Sequence, residues 1–441
     1  MFYVSNRLSY TARFCMLSLL ILVSSCAQKS DTQDATGDIM VQVGVQTSAS
    51  SYALQIVQLN GIEKLNEVSG SFVRFFYSPG SENDQLVGTS PHANFVRTKS
   101  FFAPSDLISM QMATIYYHTQ NLANFDKFIG AAEINQWPRA VGLETQITDN
   151  SSGIRRNNAF YNGQTDSMMF VPFSSDALPI AMNAGIIAHE HFHSLFYKIV
   201  IKPAAQSKKI STTVASIHQE EVDSPSEDRL KMTPPKVISE KERAQIFNET
   251  FLRGINEGLA DFWGWVYTDD PEFMRWSLPQ FQTERTLQLQ EQQIGVYETS
   301  ENITGKISEM VQLTDDPKNG LINYAYQVGT PYARFLKQFS ILQAESKKIA
   351  LGDSKKIVSQ IIFNYLKQLS TEVQKLEENE KVQPQSLFNF VVALSGENKL
   401  VKLDQKSCEF LIKYINLSER DEKKWQTCKD LKENGFSVAK P

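Results

Sequence analysis

From Tyr52 onward the apolar residues come in short runs separated by turn signals, the pattern of β-strands. They occupy Tyr52 to Leu59, Ser71 to Tyr77 (SFVRFFY, closed by Ser78-Pro79-Gly80) and a third run near Phe95 to Phe102. At Ser105 the period changes. Ser105-Asp106 has the chemistry of a helix N-cap, and Leu107, Met110, Ile115, Tyr116 and Leu122 follow at helical spacing toward an end near Gly130. An extended stretch is expected around Ala159 to Phe173, and Pro179 to Ile201 is strongly apolar and helical, stopped by Lys202-Pro203. Residues 203–241 keep no period; Lys, Ser, Thr, Glu and Pro dominate, which predicts a mobile surface insertion. Beyond it the pattern is helical, with candidates at Glu242 to Tyr267, Leu321 to Gln343, Lys355 to Asn379 and Pro384 to Leu394. Strands first and helices afterwards predict an α+β domain over 51–202 and a helical domain over 242–441.

Ahead of these elements lies a different kind of segment. Residues 1–25 carry Arg7 and Arg13, then an apolar core from Phe14 to Val23, then small residues, as a secretory signal does. The apolar run is too short to span a bilayer. Its end, Leu22-Val23-Ser24-Ser25-Cys26, resembles a bacterial lipobox, in which Cys26 is lipidated and anchors the exported chain to a membrane. Ala27 and Gln28, rather than an acid, follow it, which favours the outer membrane if the host is Gram-negative. Residues 26–50, rich in Ser, Thr, Gln, Asp and Gly, read as a flexible tether.

Composition narrows the picture. A chain of 441 residues with 41% apolar content, 27 Phe and 15 Tyr can bury a large core, which excludes wholesale disorder. A net charge of −5 argues against a nucleic-acid partner. Of four cysteines, Cys15 leaves with the signal and Cys26 takes lipid. Cys408 and Cys428 remain as a disulfide pair for an exported protein.

The candidate chemistry lies in the most apolar helix. Residues 186–196 read IIAHEHFHSLF and contain HExxH as His189, Glu190 and His193. Positions i and i+4 share a helix face, so the two histidines can aim at one ion while Glu190, one residue round, reaches a water beside it. Catalytic zinc takes a third protein ligand and keeps a fourth position open. INEGLADFW, residues 255–263, offers Glu257 flanked by Asn256, with Asp261 on the same face to accept the second N–H of a ligating histidine. A solvated helix face is the alternative. Against it, Ile255, Leu259, Phe262 and Trp263 make the surroundings apolar, where acids need partners. His191, at i+2, points away from this face and is expected to pack or support, as is His118.

HEHFH followed by NEGLAD resembles the HExxH…NExxxD pattern of thermolysin-like metallopeptidases, the gluzincins. A third segment agrees: residues 157–163, NNAFYNG, resemble the edge strand with which those enzymes hold substrate backbone. Asn158 matches the residue that bonds the peptide, with Ala159 and Tyr161 beside it. Residues 113–130 are similar to the preceding helix, so the resemblance covers, in pieces, residues 100–200 and 245–340. It implies a thermolysin-like zincin fold, in which a mixed sheet and active-site helix precede an all-α domain. It further implies one catalytic Zn²⁺ held by His189, His193 and Glu257, Glu190 as general base, Asp261 and Asn256 in support, and a peptide or protein substrate. Two features depart from the pattern. The insertion lengthens the interval between His193 and Glu257, and no histidine follows His218, so the family's oxyanion-stabilising histidine has no counterpart. Tyr326 or Tyr324, in NYAYQVG, is the expected substitute. No dense Asp cluster is present, so no structural calcium is expected. The expectation is a zinc metallopeptidase using a metal-activated water. Its rivals are a catalytically inactive zincin-fold lipoprotein acting as a binding module, and a zinc hydrolase of a non-peptide amide.

Overall fold

The computed structural model describes residues 35–49, 51–147, 155–210, 238–288, 297–314, 317–394, 400–415 and 428. The expected signal, the lipidation site Cys26 and residues 211–237 of the expected insertion lie outside these. The architecture is α+β: two five-stranded sheets followed by helices.

The first sheet is built on a long antiparallel hairpin, β1 (Gly37–Ser48) with β2 (Ser51–Lys64), paired from Gly37 opposite Ile62 to Ser48 opposite Ser51. β3 (Ser69–Gly70), β6 (Phe95–Arg97) and β7 (Phe102–Pro104) complete it in the order β3-β2-β1-β7-β6. The expected tether over 26–50 is therefore corrected: from Gly37 it is a central strand. Val41 and Val43 are fully buried on one face. Gln42, between them, belongs with Gln46 to the other half of a period-2 alternation, and these glutamines with Thr47 and Ser48 gave the segment its polar look.

The second sheet, ordered β5-β4-β8-β10-β9, contains β4 (Val73–Glu82), β5 (Gln85–Thr89), β8 (Arg139–Leu143), β9 (Ala159–Asn162) and β10 (Ser167–Phe170). β4, β8 and β10 run parallel, and β9 is antiparallel to β10 at the sheet edge.

Helix α1 (Leu107–Ile129) starts where the Asp106 carboxylate accepts the Ser109 N–H at 2.8 Å and stops at Gly130, whose φ of 84° favours glycine. It packs on β1 and β2. Helix α2 (Ala184–Phe196) carries HExxH and is buried at every position. Asn183 caps it, its side-chain oxygen accepting from Gly185 and Ile186 at 3.0 and 3.2 Å. Lys202-Pro203 does not end the rod. A π turn at Tyr197–Ile201 leads into a short helix, Lys202–Gln206, and that wider turn takes up the break in the hydrogen-bond ladder that Pro203 imposes. The near edges of the expected insertion are likewise built into the fold. Ile210 and Ile238 are buried, and the Lys209 ammonium donates to the Leu376 carbonyl.

The remaining helices of eight or more residues are α3 (Glu240–Thr268), α4 (Ser300–Leu313), α5 (Tyr324–Lys347), α6 (Leu351–Lys375), α7 (Ser386–Ala393) and α8 (Gln405–Ile415). Cys408 of α8 is joined to Cys428 by a disulfide. Among the described residues no helix is long and apolar enough to cross a membrane.

His118 of α1 meets the Tyr267 hydroxyl of α3 at 2.8 Å. Burial, only partly opposed by a hydrogen bond with the Gly44 backbone, pushes this imidazole down to about 4, so it is neutral in the fold. The unfolded chain takes up a proton near its ordinary value of about 6.5 that the native state refuses down to about 4. The stability this group contributes is thus complete above pH ~6.5 and lost as pH falls toward ~4. Urea titrations across that window should show His118→Gln losing less stability than wild type, by about 3 kcal/mol at most.

Candidate metal centre

Helices α2 and α3 pack directly against each other. Their contact brings His189 Nε2 to 2.9 Å from His193 Nε2, 3.4 Å from Glu257 Oε2, and sets His193 Nε2 3.7 Å from Glu257 Oε1. A tetrahedral ion with bonds of 2.0–2.1 Å keeps its ligand atoms about 3.3 Å apart, a value these distances bracket. Glu190 lies in the same buried group, its carboxylate and the two imidazoles having ligand atoms within 4.8 Å of one another.

The far side of each ring decides what the near side can do. His189 Nδ1 sits 3.0 Å from Asp261 Oδ1, and His193 Nδ1 sits 3.0 Å from Asn256 Oδ1. Both partners are acceptors, so both Nδ1 atoms donate. The two Nε2 atoms then face each other at 2.9 Å, a contact that either a shared proton or a metal ion between them satisfies. Burial pulls the His189 imidazole down, but Asp261 and Glu257 outweigh it and raise the group to about 9. For Glu257, burial pushes up, while His193, His189 and Arg285 hold the carboxyl well below the usual range. A proton on His189 thus balances what a divalent cation would balance when bound. The chemistry of the donor set fits such an ion.

Arg285, at the end of the short helix Gln282–Arg285, completes the centre. It is 5% exposed and grips Asp261 with two bonds, Nη2 to Oδ1 at 2.6 Å and Nε to Oδ2 at 3.1 Å. Nη2 is also 3.4 Å from Glu257 Oε2, and the guanidinium lies 4.4 Å over the Tyr326 ring. Sequence reasoning missed Arg285 because FQTERTLQ carries no period or motif that would single it out.

These groups open onto one cleft. Asn158, Ala159 and Phe160 form one wall, with the Asn158 amide oxygen accepting the Ala159 N–H at 2.8 Å. Arg253 and Glu257 of α3 contribute another, and Ile322, Ala325 and Tyr326 close the α5 side. Most candidates from the sequence meet here; two do not. Tyr161 is 1% exposed on the other side of β9, its hydroxyl donating to Asp166 at 2.9 Å. Alternation along a strand sends Phe160 and Tyr161 to opposite faces. Tyr324 donates to Glu298 at 2.9 Å, away from the cleft, because two residues of helix rotate it to the face opposite Tyr326.

Glycines hold the α5 wall in place. A β-carbon on Gly258 would lie 2.0 Å from the Gly329 carbonyl oxygen, and one on Gly329 would lie 2.1 Å from the Gly254 oxygen. The backbones of α3 and α5 therefore touch, and only glycine permits that crossing. On its back, α2 is fixed by a second polar cluster. His191 Nε2 meets Asp126 at 3.0 Å, Asp126 accepts from Asn135, and Ser194 donates to Asn135 at 2.9 Å.

Against known proteins the chain matches no family model and no characterised sequence.

Two outcomes are expected. After dialysis against zinc, wild type should keep one equivalent. Glu257→Ala should keep none, and Asp261→Ala should bind about 10–100-fold more weakly in a chelator competition. Gly258→Ala should lower unfolding free energy by about 1–3 kcal/mol, read from denaturant midpoints.

Proposed function

We propose that this protein is a zinc-dependent metallopeptidase. The observation that carries the reading is the single cleft shared by three donors fit for a divalent cation, a buried glutamate beside them, and the end of an edge strand. Two imidazoles and a carboxylate form a donor set suited to zinc. When bound, zinc supplies Lewis acidity, polarising the scissile carbonyl and acidifying water.

The chain's own residues do the rest. His189, His193 and Glu257 hold the ion, and Asp261 and Asn256 keep the Nδ1 protons where both Nε2 atoms stay available. Glu190 takes a proton from the attacking water and delivers it to the leaving amine. β10 pairs with one side of β9, and its other side aligns an extended peptide by main-chain bonding, with Asn158 and Ala159 at the cleft. Arg285, clamped by Asp261, and the hydroxyl of Tyr326 are the donors for charge developing on the carbonyl oxygen, in place of the histidine the sequence lacks. Tyr324, bonded to Glu298, drops out of that role. In this reading Cys26 carries lipid, and the substrate is a peptide or protein met outside the cytoplasm.

The test is mass-spectrometric detection of cleavage in a diverse peptide mixture by the zinc-loaded protein. Cuts are expected that vanish with a chelator. Glu190→Gln should lower kcat by about 10²–10⁴-fold with zinc content unchanged, and Tyr326→Phe should lower it by about tenfold or more. Absence of any cut by folded, zinc-loaded wild type refutes the proposal.

A further inference from the structure

We propose that the outer edge of β2 is a homodimer interface, across which residues 53–57 of two copies pair antiparallel about a two-fold axis at Gln55. None of these residues lines the cleft, so the inference stands or falls apart from the peptidase reading.

The hairpin backbone shows which edge is open. In an antiparallel pair, successive residues turn their N–H and C=O alternately toward and away from the partner strand. Gly44, opposite Leu54, donates its N–H to Thr114 Oγ1 at 3.1 Å. The Gln58 carbonyl, opposite Met40, accepts from Gln120 Nε2 at 2.8 Å. Both bonds lead out of the hairpin, so the even-numbered residues of β2 point their backbone groups away from β1. Gln120 and Tyr116 of α1 bond to that edge at Gln58 and Asn60. β3 reaches β2 only at Ile62 and Lys64. Among the described residues, no strand pairs with the edge at Leu54 and Ile56.

The side chains there are those of an interior strand. Leu54 and Ile56 are 56% and 48% exposed, on the face they share with Met40, itself 40% exposed. No charged residue and no proline occurs from Ile39 to Ile62. Edge strands that stay single carry lysine, proline or a bulge to turn another strand away, and residues 53–57 have none of these.

The order of the residues names the occupant. Ala53-Leu54-Gln55-Ile56-Val57 reads apolar, apolar, glutamine, apolar, apolar from either end. A two-fold interface sets residue i against j and j against i, which is what such a sequence suits. With the axis at Gln55, Leu54 faces Ile56 of the second copy, Ala53 faces Val57, and Gln55 faces itself. Leu54 and Ile56 then exchange backbone bonds across the axis, twice by symmetry. The two leucines and two isoleucines form one cluster, with Met40 of each copy diagonal to Ile56 on the neighbouring strand. The pairing joins the first sheets of the two copies edge to edge.

The experiment uses the full chain in a mild detergent, so that any lipid on Cys26 is retained. Light scattering across a dilution series should give twice the mass of one chain. Leu54→Lys with Ile56→Lys should reduce it to one, because lysines then oppose each other across the axis. Cysteine cross-linking reads the register, with the unsubstituted chain as background. Under a mild oxidant Gln55→Cys should give a covalent dimer, since residue 55 meets itself with α-carbons about 4.5 Å apart, within disulfide reach. Ala53→Cys and Val57→Cys should each stay single, being four residues, or about 14 Å, from their own copies. Expressed together, these two should link. A chain that is monomeric throughout the series, or equal linking at 53, 55 and 57, overturns the inference. So does a dimer that survives both lysines without linking at Gln55. A monomer whose binding to phosphatidylethanolamine–phosphatidylglycerol vesicles is lost with the two lysines assigns the face to a membrane instead, and the inference fails.

Discussion

Two imidazoles buried one turn apart on α2 cannot be left without partners, and satisfying them ties α2 to α3. Asp261 and Asn256 take the δ-nitrogens, and this fixes how α3 lies along α2 and therefore where Glu257 falls. Arg285 is drawn in because Asp261 and Glu257 are buried acids that need a counter-charge. Each group in the centre is positioned by the electrostatic need of its neighbour. The arrangement left over, with two ε-nitrogens 2.9 Å apart beside a carboxylate, is one that could hold a metal ion.

That constraint demands a stiff support, and α2 has one on each side. Its His191 and Ser194 face enters the Asp126–Asn135 cluster, which anchors it to α1 and the segment leading to β8. Phe192 packs against Trp263 of α3, with ring centres 4.9 Å apart. A buried helix bearing five polar residues would be unstable if any of them lacked a partner. Here the polar residues divide between a front that faces the cleft and a back that locks the scaffold, while Ile186, Ile187, Leu195 and Phe196 fill the core between them.

The cleft depends on two close approaches that side chains would prevent. Gly254, Gly258 and Gly329 let α3 and α5 touch, which brings Tyr326 over Arg285. The G-x-x-x-G spacing in α3 was present in the sequence, but its partner, Gly329, is separated from it by 70 residues, and no local pattern joins them. β9 takes the edge of its sheet because β10 returns antiparallel beside it, and the parallel pairing of β10 with β8 occupies the other side.

The sequence by itself determined the elements whose periodicity is strong and local: α1 with its Asp106 cap and Gly130 stop, the HExxH helix, and the long α3. It also singled out His189 and His193 with Glu190 beside them, because i,i+4 spacing on a helix is a fact of local geometry, and Glu257 through the resemblance of NEGLAD to a family pattern. It misjudged Gly37–Ser48, where polar residues masked a central strand, it could not separate Tyr326 from Tyr324, and it chose Tyr161 where Phe160 lines the cleft. Those choices depend on which face of an element meets the cleft, and that is settled only when elements pack. Arg285 belongs to the same category. Its position answers buried charges supplied by a distant helix, and such long-range electrostatic demands leave no trace in the residues next to it.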